Sequence, residues 1–134
     1  MYKKIFLLSF AFLAGMSGQG LSAQSIFDQW MELKNFHGVM SQTFHPSEEG
    51  DLAPIKNRSG EMAEKAKVLA KSAIPATFQT TAIKAAVKQL KKDSKSLHKL
   101  IQGGKSTDEQ ITTALNDLHD VFHQIVGLCK DETH

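Results

Sequence analysis

Two histidines separated by one helical turn, His119 and His123, are the side chains of this sequence best placed to do chemistry. Side chains at positions i and i+4 of an α-helix lie on the same face, so both imidazoles can bind one metal ion. A third histidine, His37, lies within an apolar stripe between Leu33 and Met40. A buried imidazole needs a partner, which is a backbone carbonyl, a polar side chain, water or a metal. The sequence therefore predicts a transition-metal site for zinc, copper or nickel.

Two further groups supply candidate metal ligands. His45 lies in an acidic segment with Glu48, Glu49 and Asp51, which is either a nitrogen and oxygen metal site or a solvated loop. Cys129 is the only cysteine, so an internal disulfide is excluded. Its thiol is a soft metal ligand, a small buried side chain or a route to a homodimer. We include His45 and Cys129 among the predicted ligands.

Segments with helical periodicity position these residues, and no segment has convincing strand alternation. The apolar stripes predict four helices, over about residues 26–44, 54–74, 75–102 and 106–129. Pro46 and the segment Glu48-Glu49-Gly50-Asp51 end the first helix, and Gly103 and Gly104 follow the third. Ser106 with Glu109 has the spacing of a capping box at the fourth. Short connections favour antiparallel neighbours. We expect an all-α fold, an antiparallel up-down-up-down four-helix bundle with adjacent first and last helices.

The first 23 residues have the layout of a secretory signal peptide. Lys3 and Lys4 precede a short apolar run, and Leu21-Ser22-Ala23 places small residues before a cleavage site. The apolar run is shorter than the roughly 20 residues that a membrane span needs. We therefore expect a single mature domain over residues 24–134, periplasmic or secreted, with no stable membrane insertion.

The charge balance and the motifs exclude several classes of protein. Removal of Lys3 and Lys4 from the 16 basic residues leaves 14, equal to the 14 acidic residues. A nucleic-acid partner would need a clustered basic excess, so none is expected. No nucleophile-elbow, zinc-protease, phosphate-loop or dinucleotide motif occurs. Asn116 and Asp120 stand where a dinuclear carboxylate oxidase would need glutamate before each histidine. We expect a binding protein, not an enzyme.

The segment from Leu118 to Gln124, with His119 inside it, resembles the last helix of cytochrome c′ and of its haem-b-binding periplasmic relatives. In cytochrome c′ this helix carries the haem-attachment motif C-x-x-C-H. The resemblance places the two cysteines at Leu115 and Leu118 and the iron ligand at His119. Because both cysteine positions are leucine here, covalent attachment of haem is excluded.

The noncovalent relatives bind haem b with a histidine of the last helix and a methionine of the first. A Tyr/Phe-His-Gln run in their last helix matches Phe122-His123-Gln124, so the resemblance makes His123 the corresponding ligand. The methionine would be Met31 or Met40. The resemblance implies a periplasmic bundle with a haem site of His119 or His123 and Met40, for electron transfer or sensing.

A third function remains open beside metal binding and haem binding. An envelope protein that is structural, or that binds polypeptides like a chaperone, would have the same helices and no ligand. It would present an exposed apolar patch and would show no metal dependence.

Overall fold

All regular secondary structure within residues 23–133, the part of the chain that the computed structural model describes, is helical. The elements are α1 (Ala23–Gln29), α2 (Met31–Glu48), α3 (Ala53–Lys71), a 3-10 helix (Ala76–Phe78), α4 (Thr81–Gln102) and α5 (Asp108–Asp131). The predicted all-α class is confirmed. The predicted signal sequence, residues 1–23, lies outside the described residues except for Ala23. None of the helices within residues 23–133 is both long and apolar enough to cross a bilayer.

The apolar faces of the long helices meet in one hydrophobic core, because each helix must cover its apolar stripe. The stripes of α4 and α5 are buried through Ile83, Val87, Leu90, Leu97, Ile111, Leu115, Leu118, Phe122 and Ile125. Helix α3 packs against α2 and α4, and α5 packs against α4. Helix α2 also contacts α5, and α1 contacts both of them. The α2–α5 contact brings together the two helices that carry the candidate histidines.

The first predicted helix is divided at Trp30, whose backbone leaves the helical region with φ −133° and ψ 86°. The Trp30 side chain is buried and stacks on Phe78, with ring centroids 6.1 Å apart. Packing of the indole thus overrides the local helical periodicity. The predicted end near Phe44 and Pro46 is also wrong, whereas the predicted stop in the segment that starts at Glu48 agrees with the end of α2. Pro46 lies inside the last turn of α2, and its carbonyl oxygen accepts hydrogen bonds from the backbone N–H groups of Glu49 and Asp51.

Two other predicted helix starts move by a few residues. Helix α4 begins at Thr81, because the Thr80 side chain caps it by accepting a hydrogen bond from the Ile83 N–H at 3.1 Å. The capping box of α5 is formed by Thr107 and Gln110, one residue beyond the predicted Ser106 pair. Ser106 instead donates a hydrogen bond to a backbone carbonyl at the end of α4. Local capping, rather than the first polar residue, therefore sets both starts.

Helices α3 and α4 enclose a small set of polar side chains. Ser59 is buried on α3, and its Oγ lies 2.9 Å from Nδ1 of His98 on α4. Gly60 leaves room for this imidazole, since a Cβ atom there would lie 3.1 Å from His98 Cε1. Ser94, one turn before His98, is 1% exposed, and its Oγ has no hydrogen-bond partner among the described residues. Of the two buried hydroxyls on α3 and α4, one is therefore paired and one unpaired.

Candidate functional site

His119 and His123 face each other on the surface of α5, as their spacing predicts. The Nε2 atoms of the two rings are 3.1 Å apart, and the rings are nearly perpendicular, at 80°. In the absence of a metal this distance suits a hydrogen bond in which one ring donates and the other accepts. The His123 side chain is exposed and the His119 side chain is half-buried. The pair is therefore reachable from solvent on one side and anchored in the protein on the other.

The separation of the two Nε2 atoms also suits bidentate chelation of a metal ion. Zinc–imidazole bonds are about 2.0–2.1 Å long. Two such bonds to nitrogen atoms 3.1 Å apart meet at the metal with an angle of about 100°. This angle lies between the square-planar and tetrahedral values, which are the preferred geometries of Cu(II) or Ni(II) and of Zn(II) respectively. The spacing of the two nitrogen atoms is thus compatible with each of the three metals.

Aromatic packing from α2 fixes the orientation of one ring of the pair. Phe44 stacks on His119 with ring centroids 3.6 Å apart and an interplanar angle of 7°. Phe44 is itself buried, so its ring has little freedom to move. Groups that orient a metal ligand raise its affinity because less freedom is lost on binding. The packing of α2 against α5 therefore holds His119 in a defined position before any ligand arrives.

His37 packs against two phenylalanine rings at the junction of α1, α2 and α5, and the two rings also contact each other with centroids 6.3 Å apart. Its imidazole stacks on Phe27 at 4.8 Å and on Phe122 at 5.2 Å, with interplanar angles of 20° and 13°. The half-buried position agrees with its predicted place within an apolar stripe. The ring thus occupies the same aromatic cluster as the α5 pair, since Phe122 also lies edge-on to His123.

The electrostatics of this cluster favour neutral imidazoles. Burial lowers the pKa of His37 below its ordinary value, and positive charge on His123 and His45 lowers it further. Burial likewise lowers the pKa of His119, with a further contribution from His123. The carboxylates of Asp120 and Glu48 act in the opposite direction on the pKa of His119. A partly buried group of like charges disfavours protonation, which leaves the nitrogen lone pairs free for a metal.

An open pocket of about 570 Å³ adjoins His119. It is lined by Phe44, Ser47, Glu48, Thr112, Asn116, His119 and Asp120. His45 lies in the last turn of α2, exposed, with its Nδ1 atom 3.0 Å from Glu48 Oε2. The pocket therefore presents an imidazole and two carboxylates to solvent beside the α5 pair.

The predicted acidic loop does not gather around a single point. Asp51 accepts a hydrogen bond from the Ala53 N–H at 3.0 Å and so occupies the start of α3. His45 pairs with Glu48, as described above. Within residues 23–133, no group of three or more histidine, cysteine, aspartate or glutamate side chains is arranged to hold a metal ion. The candidate metal ligands that the structure brings together are therefore His119 and His123 on α5.

Met40 and Cys129 lie in the hydrophobic core. Burial raises the pKa of the Cys129 thiol to about 12, whereas a metal ligand must be a thiolate. Cys129 also follows His123 by six residues, which corresponds to about 9 Å along the helix. The buried thiol is not presented to a second copy of the chain, so a disulfide-linked homodimer would require unfolding. Of its predicted roles, that of a small buried side chain fits the structure.

Sequence reasoning found the imidazoles but missed the phenylalanines that hold them. Phe27 and Phe44 had no place in the predicted site, although they stack on His37 and His119. Only the apolar character of both residues was visible in the sequence. Their contacts depend on how α1 and α2 dock on α5, which no local spacing specifies.

No family model, curated protein or solved structure matches this chain. The resemblance of the last helix to cytochrome c′ and its relatives therefore stays a prediction.

Proposed function

We propose that this chain binds a divalent transition-metal ion, zinc, copper or nickel, through the imidazoles of His119 and His123. The observation that carries the proposal is the 3.1 Å separation of their Nε2 atoms, since imidazole is a good ligand for all three metals. The proposed scaffold is an antiparallel up-down-up-down four-helix bundle, consistent with the contact between α2 and α5. The proposed role is storage, buffering or sensing of metal, without turnover, in the periplasm or outside the cell.

The electrostatics support metal binding at neutral pH. Protons compete with metal ions for imidazole nitrogen, so a histidine with a lowered pKa is a better ligand near pH 7. The pKa of His119 is lowered chiefly by burial. The nearby carboxylates of Glu48 and Asp120 supply negative charge that attracts a cation. Affinity is expected to fall below about pH 6, near the reference pKa of histidine, because a metal ion binds only neutral imidazole.

Two protein nitrogens leave at least two positions of a tetrahedral metal ion for other ligands. Water is the simplest ligand for an exposed site. Glu48 and Asp120 are the carboxylates that line the adjoining pocket with His119, and His37 interacts electrostatically with His123. We propose that water completes the coordination, and that His37 and the two carboxylates act on the site through their charge.

Calorimetric titration of the purified chain with Zn(II), Cu(II) and Ni(II) at pH 7.5 tests the proposal. In the variant His119→Phe an aromatic ring still packs on Phe44 but the ligand nitrogen is lost. This variant and the separate variant His123→Ala should each bind the metal about tenfold or more weakly than the original chain. Gln124→Ala, an exposed substitution on the same helix, is the matched control and should bind as the original chain does. Equal affinity in all four proteins, or no heat in any, would overturn the proposal.

Noncovalent haem b binding, which the resemblance of the last helix implies, is the second candidate. The pocket beside His119 has a volume typical of ligand sites, about 300–1,000 Å³, but Phe44 is the only apolar residue that lines it. His119 or His123 would ligate the iron. Met40 is buried and does not line this pocket, so the structure offers it no route to the same iron. Addition of haemin should give a sharp Soret band that His119→Phe or His123→Ala removes. An unchanged spectrum would eliminate this candidate.

The ligand-free scaffold is the least supported alternative. It predicts an exposed apolar patch for binding polypeptides. Among residues 23–133 the exposed large apolar side chains are Met31 on α2 and Val68 on α3. Isolated apolar residues are normal on protein surfaces. Suppression of aggregation of an unfolding client protein, without any effect of metal, would nevertheless favour this alternative over metal binding.

A further inference from the structure

One arc of the exposed side of α4 carries only lysine side chains between residues 84 and 99. Between residues 84 and 99 this helix contains Lys84, Lys88, Lys91, Lys92, Lys95 and Lys99, and all six are exposed. At about 100° per residue they occupy one arc of about 100° around the helix axis. No other residue between positions 84 and 99 falls within that arc. We name this set the lysine stripe.

The lysine stripe points away from the core. The buried residues of α4 fill a second arc of similar width, on which Ile83, Leu90 and Val87 lie. The centres of the two arcs are separated by about 140°. Along the axis the stripe extends about 22 Å, at 1.5 Å of rise per residue. The stripe is therefore a narrow, straight and exposed row of positive charge on one helix.

Among the residues that the structure describes, the lysines of the stripe have no acidic partners. No ion pair within residues 23–133 involves any of them. Asp93 is the only acidic residue of α4. It lies outside the stripe, about 100° beyond Lys92, and accepts a hydrogen bond from Gln89 at 2.8 Å. Like charges three and four residues apart weaken a helix, so the requirements of helix stability do not explain this pattern.

We propose that the lysine stripe is a docking surface for the anionic phospholipid headgroups of a membrane. A plane touches every residue of one narrow arc at once, so all six ammonium groups reach the headgroup layer together. Lysine acts as a point charge without the fixed bidentate geometry of arginine, which suits a diffuse anionic surface. Adsorption of this kind leaves the helices outside the hydrocarbon layer and is independent of the proposed metal site.

Nucleic acid is the other polyanion to consider, and the stripe fits it less well. A helix that enters a groove of a duplex makes contacts across a wide arc, with residues that read base edges. The stripe is narrow and contains no aromatic ring on which a single-stranded base could stack. The only arginine, Arg58, lies on α3 and pairs with Glu61. The overall charge balance concealed this local basic cluster, but the cluster has the shape expected for a planar partner.

Vesicle co-sedimentation of the full chain tests the proposal. The probes are vesicles of phosphatidylcholine alone and of phosphatidylcholine with one quarter phosphatidylglycerol, at low and high NaCl. We expect binding to the anionic vesicles only, with release at high salt. The triple variant Lys88→Gln, Lys92→Gln, Lys95→Gln should bind roughly 100-fold more weakly. Circular dichroism checks that each protein remains helical.

The matched control removes the same number of charges from α3 through Lys65→Gln, Lys67→Gln and Lys71→Gln. It should retain binding within about threefold, because these lysines are outside the stripe. Equal losses in both triple variants would overturn the proposal, since net charge alone would then govern binding. Equal binding to neutral vesicles, which the apolar residues 5–14 would produce, would overturn it as well. The proposal would also be overturned if the chain bound a DNA duplex more tightly than the anionic vesicles and the stripe variant lost that DNA binding.

Discussion

Substitution by alanine of the two buried serines on α3 and α4 should change the free energy of unfolding in opposite directions. Ser94 Oγ is buried without a partner among the described residues, and an unsatisfied buried polar group costs about 1–3 kcal/mol. Ser94→Ala removes this group and places a better helix former at a helical position, worth up to about 0.5 kcal/mol. We expect the free energy of unfolding to rise by about 1–2 kcal/mol, which raises Tm by about 4–8 °C.

Ser59→Ala is the matched comparison, because it deletes an equally buried hydroxyl that has a partner. The Ser59 Oγ lies 2.9 Å from His98 Nδ1, and a hydrogen bond of this kind contributes about 0.5–1.5 kcal/mol. The gain in helix propensity offsets part of this loss, so the variant should be less stable than the original chain by up to about 1 kcal/mol.

Urea denaturation followed by circular dichroism measures both changes, provided that the m-values agree. A change in the free energy of unfolding of the same sign in both variants would refute the reasoning. A loss of stability in Ser94→Ala alone would also refute it, because the hydroxyl would then have a partner in solution, such as a buried water molecule.

Three further predictions concern the aromatic cluster and the thiol. The pKa values of His37 and His119 are lowered in the folded state, so the unfolded chain binds more protons; Tm should fall as pH drops below about 6.5. In His37→Phe this dependence should be shallower, and an identical pH profile would contradict the assignment. Phe27→Ala removes one of the two phenylalanine rings that contact His37 and should destabilise the chain by about 2–4 kcal/mol, with early loss of amide protection in α1; unchanged amide exchange in α1 would exclude a role of Phe27 in docking it. The Cys129 thiol, with its pKa raised to about 12, should resist an aromatic disulfide reagent at pH 8 until urea is added, whereas rapid labelling of the native chain would show that it is accessible.

The positions of the helices were predictable because apolar periodicity is a repeated signal. In α5 the stripe through Leu115, Leu118 and Phe122 fixes the buried face wherever the helix begins. The ends of helices are set by single residues, and tertiary packing can override the local preference of a single residue. Trp30 interrupts a periodic segment because its indole is buried against Phe78. No pattern within residues 26–44 carries that information.

The candidate site divides in the same way. The approach of His119 to His123 follows from helix geometry alone, because residues four apart share a face. The stacking of Phe44 on His119 depends on the register between α2 and α5, which lie at opposite ends of the domain sequence. The lysine stripe could be predicted from the angular positions of the lysines around the helix. The net charge of the chain does not reveal it, because that sum includes every face of every helix.

The single tryptophan of the chain gives the protein an intrinsic optical reporter at the break between α1 and α2. Its indole is buried beside Phe78, and its N–H has no partner among the described residues. Fluorescence from such an apolar environment should shift to longer wavelength as soon as water reaches the joint. Release of α1 should therefore change the emission colour while the helical dichroism of the remaining chain is still intact. Unlabelled protein could thus be used to follow the loosening of one joint separately from global unfolding.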